Sequence, residues 1–394
     1  MLIREIIFDE KLPQMRALLD ASAMRAVFER ELASAYGRAA TETSIWRIDE
    51  CSIASAKYRP RQNFLIAYRL KIADLPAGPG REQLVTVLAC PEGESLPLFR
   101  NAMGVGVFHL PELEAVVRAF PNDRKLTGLP ALVDPLSLGR RFLPEIVAAD
   151  FGSGWRIEEL ESSPVQYRPE RACTVRVNLH LRNVRTAAGE SLVLFGKTYC
   201  QAEGEAAWLG LQTLWNSEAR REGRIAIPRP LAYQAEIKTL WQCGLEGKPL
   251  NEFNVCSGRF GELLEQAGST LAELHRTPPG QIAAAPVVAT SDIVSQLETA
   301  AHLLGRLPLK RSEELRSVIG KLTALSECAV SGLIATLHGD LHLKNLLVTK
   351  ERIVLLDLDN LSLGDPLREL GSFIASLQYL GLINRWPVGT VREI

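Results

Sequence analysis

The sequence predicts an α+β chain in three parts: two similar antiparallel-sheet units followed by a mostly helical part. Three observations predict this. A tryptophan-containing string occurs twice in the first half, 109 residues apart. Each copy is followed by segments in which apolar and polar residues alternate, the period of half-buried strands. From residue 257 the apolar spacing lengthens to that of a helix, so strands come first and helices later.

Composition sets the outer limits. The chain has 394 residues, room for two or three compact units. With 46% apolar and 23% charged residues it is ordinary globular material. A net charge of −1 and the lack of a basic run argue against a nucleic-acid partner. The start, MLIREIIFDE, mixes charges into its apolar stretch and does not read as a signal peptide. No apolar run approaches membrane-spanning length, so no membrane partner is expected. Seven cysteines, odd in number and without CxxC spacing, suit reduced thiols in a cytoplasmic protein.

The first two parts follow from the repeat. Residues 46–60 read WRIDECSIASAKYRP and residues 155–169 read WRIEELESSPVQYRP, identical at seven of fifteen positions. After each YRP come two alternating runs, FLIAYRLKI and QLVTVLAC in the first copy, CTVRVNLHL and SLVLFGKTY in the second. Each copy is expected to be a strand meander, the first over 1–135 and the second over 136–244, joined by a helix at about 136–149. The second copy has Lys197 in its third strand and then a helical segment with Glu203 and Glu205. A strand lysine paired with a helix glutamate is a device for holding nucleotide phosphates. The first copy has no lysine in QLVTVLAC, and the CPEGESLP after it is a poor helix. It is not expected to bind nucleotide in this way. The turn YRPERA has no GxGxxG, and Gly104 with Gly106 forms only a lone GxG that suits a turn.

The third part, 245–394, begins after two strand-like pieces in IAIPRPLAYQAEIKTLWQCGLEGKPL. Phe260, Leu263, Leu264, Ala267, Leu271 and Leu274 then recur on one helical face. That helix stops at His275-Arg276-Thr277 before Pro278-Pro279-Gly280. Helical stretches at about 291–305 and 311–330 follow. His275 reads as a helix-end or packing residue.

The chemistry is concentrated in HGDLHLKNLLV, residues 338–348, and RIVLLDLDNLSLGDP, residues 352–366. Asp340 and Asn345 stand five positions apart, and Asp357 and Asp359 end the next strand. Phosphoryl transfer needs one carboxylate for the attacking hydroxyl, and an amide oxygen and a carboxylate for Mg²⁺. Isolated Asp and Asn residues also suit polar turns, but the whole string is far more specific than that. On strand alternation, Asp357 and Asp359 point to opposite sides, so Asp357 is the first choice for the metal and Asp359 the second. Asp365 is expected to cap the apolar helix that follows.

This string resembles the aminoglycoside phosphotransferase and choline kinase family, a branch of the protein-kinase-like fold. The resemblance is strongest over 333–373. It implies two lobes, with an antiparallel-sheet N-lobe over 136–244 and a mostly helical C-lobe over 245–394. These are preceded by a second N-lobe-like unit. It implies ATP or GTP with Mg²⁺ and transfer of the γ-phosphate to a hydroxyl of a sugar, aminoglycoside or amino alcohol. Asp340 then serves as general base, His338 supports its loop, and His342 stands where a phosphate contact is found in kinases. Lys197, with Glu203 or Glu205, binds the phosphates. Main-chain groups of Gln242, Cys243 and Gly244 form the hinge that holds the purine. Family members usually continue for several more helices, so the C-lobe is expected to be truncated. A protein kinase is disfavoured by the missing glycine-rich loop, HRD and DFG. A catalytically silent nucleotide-binding or scaffold protein of this fold is the rival reading.

Overall fold

The computed structural model describes residues 9–36, 45–75, 80–102, 104–278, 285–289, 292, 294–299, 312–328, 333–350 and 352–386. The chain divides into two compact units. One comprises Met1–Pro130 with Tyr167–Ala172, the other Ala131–Gln166 with Cys173–Ile394.

In the first unit, α1 (Met15–Leu18) and α2 (Ala21–Tyr36) precede β1 (Ile45–Arg59), β2 (Asn63–Leu75) and β3 (Arg81–Ala89). A short helix, α3 (Ser95–Arg100), forms where the sequence offered a poor one. A hairpin of β4 (Val107–Leu110) and β5 (Ala115–Ala119) completes the sheet, in the order β1-β2-β3-β5-β4. Alternation puts Ile66, Tyr68, Val85, Val87 and Val117 on one face. There they pack with Met15, Leu18 and Phe28 in a single core. Asp9 holds the β1–β2 turn, its carboxylate accepting the Tyr58 hydroxyl at 2.8 Å and the Arg61 N–H at 2.7 Å. Asp123 holds the turn Tyr167–Ala172 in the same manner, from the Tyr167 hydroxyl at 2.7 Å and the Glu170 N–H at 2.8 Å. Arg61 and Glu170 both adopt the left-handed conformation.

The expected joining helix is α4 (Leu129–Val133), α5 (Pro135–Ser137) and α6 (Leu143–Phe151), interrupted by a π-helical turn at Leu138–Phe142. The sheet of the second unit has β6 (Trp155–Arg168), β7 (Ala172–Asn183), β8 (Gly189–Tyr199), β9 (Pro230–Gln234) and β10 (Thr239–Cys243). Its order, β6-β7-β8-β10-β9, is the order of the first sheet. Helices α7 (Glu203–Trp215) and α8 (Glu218–Arg221) lie between β8 and β9 in the chain.

The remainder of this unit is β11 (Lys248–Pro249), α9 (Gly258–Arg276), α10 (Ser312–Cys328), β12 (Ala335–Leu337), β13 (Leu346–Val348), β14 (Ile353–Leu355), β15 (Ser362–Gly364) and α11 (Pro366–Asn384). Two small sheets form, β11-β13-β14 and β12-β15. Ser257 caps α9 by accepting the Phe260 N–H at 3.3 Å. Phe260, Leu263, Ala267, Leu271 and Leu274 are buried as the helical spacing requires, with Leu264 half-buried. They share one core with Leu211 of α7 and with Leu341, Leu343 and Leu346 of the acidic-loop region. The residues expected as separate N- and C-lobes, 136–244 and 245–394, thus fall mostly in one compact unit. Of the stretch expected at 291–305, residues 292 and 294–299 are described and are helical, and the others lie outside the described residues. Among those residues, no helix is long and apolar enough to cross a membrane.

Candidate active site

The loop after β12 is held from beneath. His338 is fully buried. Its Nε2–H donates to the Leu356 carbonyl at 2.8 Å, and its Nδ1 accepts the Asp340 N–H at 3.4 Å. Both bonds need the neutral ring with its proton on Nε2. Burial pushes the His338 pKa down, against the pull of Glu369. The expected supporting role therefore has a geometry: His338 ties the backbone of Asp340 to the residue before Asp357.

Gly339 has φ +83, and a Cβ there would lie 1.9 Å from the Asn360 carbonyl oxygen. No L side chain fits. Its N–H donates to Glu369 at 2.7 Å, and the His338 N–H donates to the same carboxylate at 3.1 Å. Glu369 is buried in the first turn of α11. It takes a third bond, from His275 Nε2, at 2.9 Å. Burial pushes the Glu369 pKa up, but the bonds from His275, Gly339 and His338 outweigh it and hold the carboxyl below its ordinary value. Asp365 caps this helix, as expected, by accepting the Leu367 N–H at 2.9 Å.

Asp340 stands half-buried at the loop's crest. The Asn345 side-chain NH₂ donates to the Asp340 carbonyl at 2.9 Å, which commits its nitrogen and leaves its Oδ1 for another partner. The Asn345 carbonyl accepts the Leu356 N–H at 2.8 Å, so Leu356 is bonded to both ends of the loop. His342 is half-buried, its carbonyl accepting the Asn345 N–H. Lys344 is exposed.

Lys197, on β8, reaches this loop. Its ammonium contacts Asp357 Oδ1 at 2.5 Å and also pairs with Asp359 Oδ2. The expected pairing with Glu203 or Glu205 is not formed. Glu203 instead accepts the Gln201 N–H at 3.2 Å, at the start of α7. Burial pushes Lys197 down, but Asp359 and Asp357 more than offset this and keep its pKa above the ordinary value. Asp359 is pushed up by burial despite Lys197.

The expectation that Asp357 and Asp359 face opposite ways is also corrected. The strand ends at Leu355. Asp357 is left-handed, with φ 58, and opens a 3₁₀ turn over Leu358–Asn360. Strand alternation does not extend that far, so both carboxylates converge on one lysine.

The hinge needs correction as well. The Cys243 N–H donates to the Arg229 carbonyl at 2.9 Å and the Gly244 N–H to the Val193 carbonyl at 2.7 Å. Gln242 pairs with Phe195 in the β8–β10 ladder. These groups continue the sheet, and the two N–H donors are not open to a purine.

Among the described residues, no three His, Cys, Asp or Glu side chains form a metal cluster. The available set is Asn345 Oδ1, Asp357 and Asp359, all oxygen donors. A Mg²⁺ ion bound with nucleotide needs no more than one or two carboxylates, because water and phosphate complete its shell. An ammonium group already bridges the two carboxylates, so the charge of the site suits a cation. An open cleft of about 1000 Å³ elsewhere in the unit, between Trp215, Phe253 and Val354, contains none of these residues.

Glu369 and Gly339 were not singled out in the sequence. The signals were present: a glycine between His338 and Asp340, and a glutamate four residues after the cap Asp365.

Residues 201–386 match a family model described as the phosphotransferase enzyme family. This agrees with the family that the 338–345 string resembles. Lys197 lies just before the matched segment. No curated protein matches the chain. The chain is similar to an aminoglycoside phosphotransferase from Streptomyces rimosus, 17% identical, over 63% of this chain and 87% of that one, with TM-score 0.41. It is similar to a choline/ethanolamine kinase family protein from Mesorhizobium loti, 16% identical, over 63% and 71%, with TM-score 0.40. It is also similar to a macrolide 2'-phosphotransferase type I, 15% identical, over 61% and 76%, with TM-score 0.41.

Proposed function

We propose that this chain, whose residues 201–386 fall in the phosphotransferase enzyme family, transfers the γ-phosphate of ATP or GTP to a hydroxyl of a small polar molecule. A sugar, an aminoglycoside or an amino alcohol is the acceptor. One observation carries the reading. Lys197 and the pair Asp357 and Asp359, 160 and 162 residues apart in sequence, form one ion cluster. That cluster adjoins, through Leu356, the loop bearing Asp340 and Asn345.

Asp340 receives the acceptor hydroxyl, orients it and takes its proton. Lys197 leaves the two carboxylates for the non-transferred phosphates. Asn345, Asp357 and Asp359 would hold Mg²⁺, which would supply charge neutralisation on the phosphates. His338 and Glu369 keep the loop fixed, so that Asp340 need not reorganise during transfer. Main chain beyond Gly244 holds the purine edge, since the N–H groups of Cys243 and Gly244 are engaged. The first unit has Leu88, buried in a small apolar cluster, in the strand corresponding to β8. It takes no part in nucleotide binding.

The test is ADP release from MgATP, and GDP release from MgGTP, across a panel of sugars, aminoglycosides and amino alcohols. Turnover with at least one acceptor, lost in Asp340→Asn, is expected. Nucleotide binding without turnover on any acceptor would favour the silent scaffold. No nucleotide binding at all would overturn the reading.

A further inference from the structure

The open cleft between Trp215, Phe253 and Val354 lies within one compact unit and contains none of the acidic-loop residues. Its volume of about 1000 Å³ is that of a small-molecule site. Its lining has two parts. Ile225, Ile227 and Val354 are buried and form an apolar floor, with half-buried Trp215 and Phe253 as aromatic walls. The rim is cationic, with Arg221, Lys248, Lys350 and Arg352 exposed and Arg220 half-buried. Among the described residues only two carboxylates, Glu222 and Glu246, line it. Glu222 is engaged at 2.8 Å by Arg224, which is not part of the lining. Among the described residues, Arg220, Arg221, Lys248 and Lys350 form no ion pair with a carboxylate.

The chain around the cations holds them in place. Gly247 lets the segment after β10 lie flat on β13, since a Cβ there would come within 2.8 Å of Leu347 Cγ and of the Val348 carbonyl oxygen. Lys248 then pairs with Val348 in the β11–β13 ladder. The β13–β14 turn that bears Lys350 and Arg352 is closed by the Thr349 N–H, which donates to the Arg352 carbonyl at 3.0 Å. Arg220 is fixed by Trp215: its guanidinium carbon lies 3.3 Å from the ring centre, in van der Waals contact with the ring face. The Lys248 ammonium lies 5.1 Å from the centre of the Phe253 ring. A guanidinium stacked on one side presents its other face to a second ring and its N–H edge to an anion. An apolar floor, two aromatic walls and a surplus of cations thus converge on one cavity.

We propose that this cleft is a second ligand site, for a small aromatic molecule that carries a phosphate, sulfonate or carboxylate group. The ring of the ligand enters over the floor and stacks on the open face of Arg220. Its anionic group meets Arg352, Lys350 and Lys248 at the rim. The same rim repels a cationic ligand, so the cleft is not a second seat for an aminoglycoside or an amino alcohol. The inference goes beyond the phosphotransferase reading and stands on the cleft alone.

The test is fluorescence titration of the full chain with anilinonaphthalene sulfonate, an aromatic anion, with and without saturating MgADP. The dye should bind alike in both. Phenyl phosphate should displace it, and benzylamine, a cation with the same ring, should not. Arg220→Ala should weaken the dye about tenfold, the worth of one contact to a charged group. Lys350→Glu reverses an exposed charge at the rim and leaves the floor untouched. It should weaken the dye several-fold with the melting temperature level, and it decides the outcome if Arg220→Ala fails to fold. Absence of dye binding, dye affinity unchanged in Lys350→Glu, or displacement by benzylamine as readily as by phenyl phosphate would overturn the proposal. So would loss of the dye on adding MgADP, which would place it at the nucleotide site.

Discussion

Replacing Glu369 with glutamine keeps the shape of the side chain and changes only its charge and one acceptor atom. In the parent, Oε2 accepts the His338 N–H at 3.1 Å and His275 Nε2 at 2.9 Å, and Oε1 accepts the Gly339 N–H at 2.7 Å. Glutamine can put its oxygen at the first position and keep two bonds. Its NH₂ then faces the Gly339 N–H, donor against donor. Leaving that buried N–H unpaired costs about 1–3 kcal/mol, and loss of charge from the other two bonds costs roughly 0.5–1 kcal/mol each. The expected destabilisation is about 2–5 kcal/mol. The assay is hydrogen exchange at the His338 and Gly339 amides, backed by urea unfolding of the unit that contains them. Exchange at Gly339 should quicken by roughly 30- to 4000-fold, at tenfold per 1.4 kcal/mol. Unaltered protection, with stability within about 0.5 kcal/mol of the parent, would refute the idea that this carboxylate anchors the loop.

Three further outcomes are expected. Asp340→Asn should lower turnover by about 10²–10⁴-fold while MgADP affinity stays within a few-fold, and activity near that of the parent would remove Asp340 from its role. Gly339→Ala should cost several kcal/mol, because its Cβ would meet the Asn360 carbonyl at 1.9 Å and its φ suits only glycine; a melting temperature like that of the parent would contradict the loop geometry. Stability should fall in acid in two stages. His338 has its pKa lowered from 6.5, so the unfolded chain binds the extra proton and stability declines as the pH drops below about 6.5. Glu369 is lowered from 4.5, and its contribution, present above that value, is lost as the pH falls through the folded pKa. His338→Gln should flatten the first stage, and an identical decline in that variant would assign it elsewhere.

The parts of this site legible in the sequence were those tied to a short local pattern. HGDLHLKN, followed by alternating apolar residues and acids, placed Asp340, Asn345, Asp357 and Asp359 together because a hairpin of β13 and β14 joins them within twenty residues. The buried face of α9 was legible for the same reason, since its period is written in consecutive turns. Lys197 was found through its place after the repeated string. Its partner was not, because that choice depends on a tertiary distance. Gly204 of α7 meets the ring of Tyr199 on β8, where a Cβ would lie 2.5 Å from it, and neither residue looks special in isolation. The Asp357–Asp359 error has a similar origin. Alternation holds only while the chain stays extended, and nothing in LLDLDN marks Asp357 as the left-handed residue where β14 has already ended.

The two corrections bear on each other. A lysine held by a helix glutamate can bind phosphate while the acid loop goes about its own work, because the two pairs are separate. Here the lysine is held by the same carboxylates that are proposed to take the metal. The cluster of Asp357, Asp359 and Lys197 carries a formal charge of −1 in a largely buried setting, and burial already opposes the ionised form of Asp359. Removing the ammonium without replacing it would leave two carboxylates close together with no counter-ion, a costly arrangement in a low dielectric. Lys197 is therefore free to move only when another cation arrives. Nucleotide and Mg²⁺ should then bind as a unit: free ATP meets a lysine still held by both acids, and free Mg²⁺ meets a site whose carboxylates are already paired. The affinity for ADP with Mg²⁺ should exceed that for ADP in a chelator by far more than the ion's own weak binding to the protein would suggest. Equal affinities with and without Mg²⁺ would mean that the lysine and the acids act independently despite their contact.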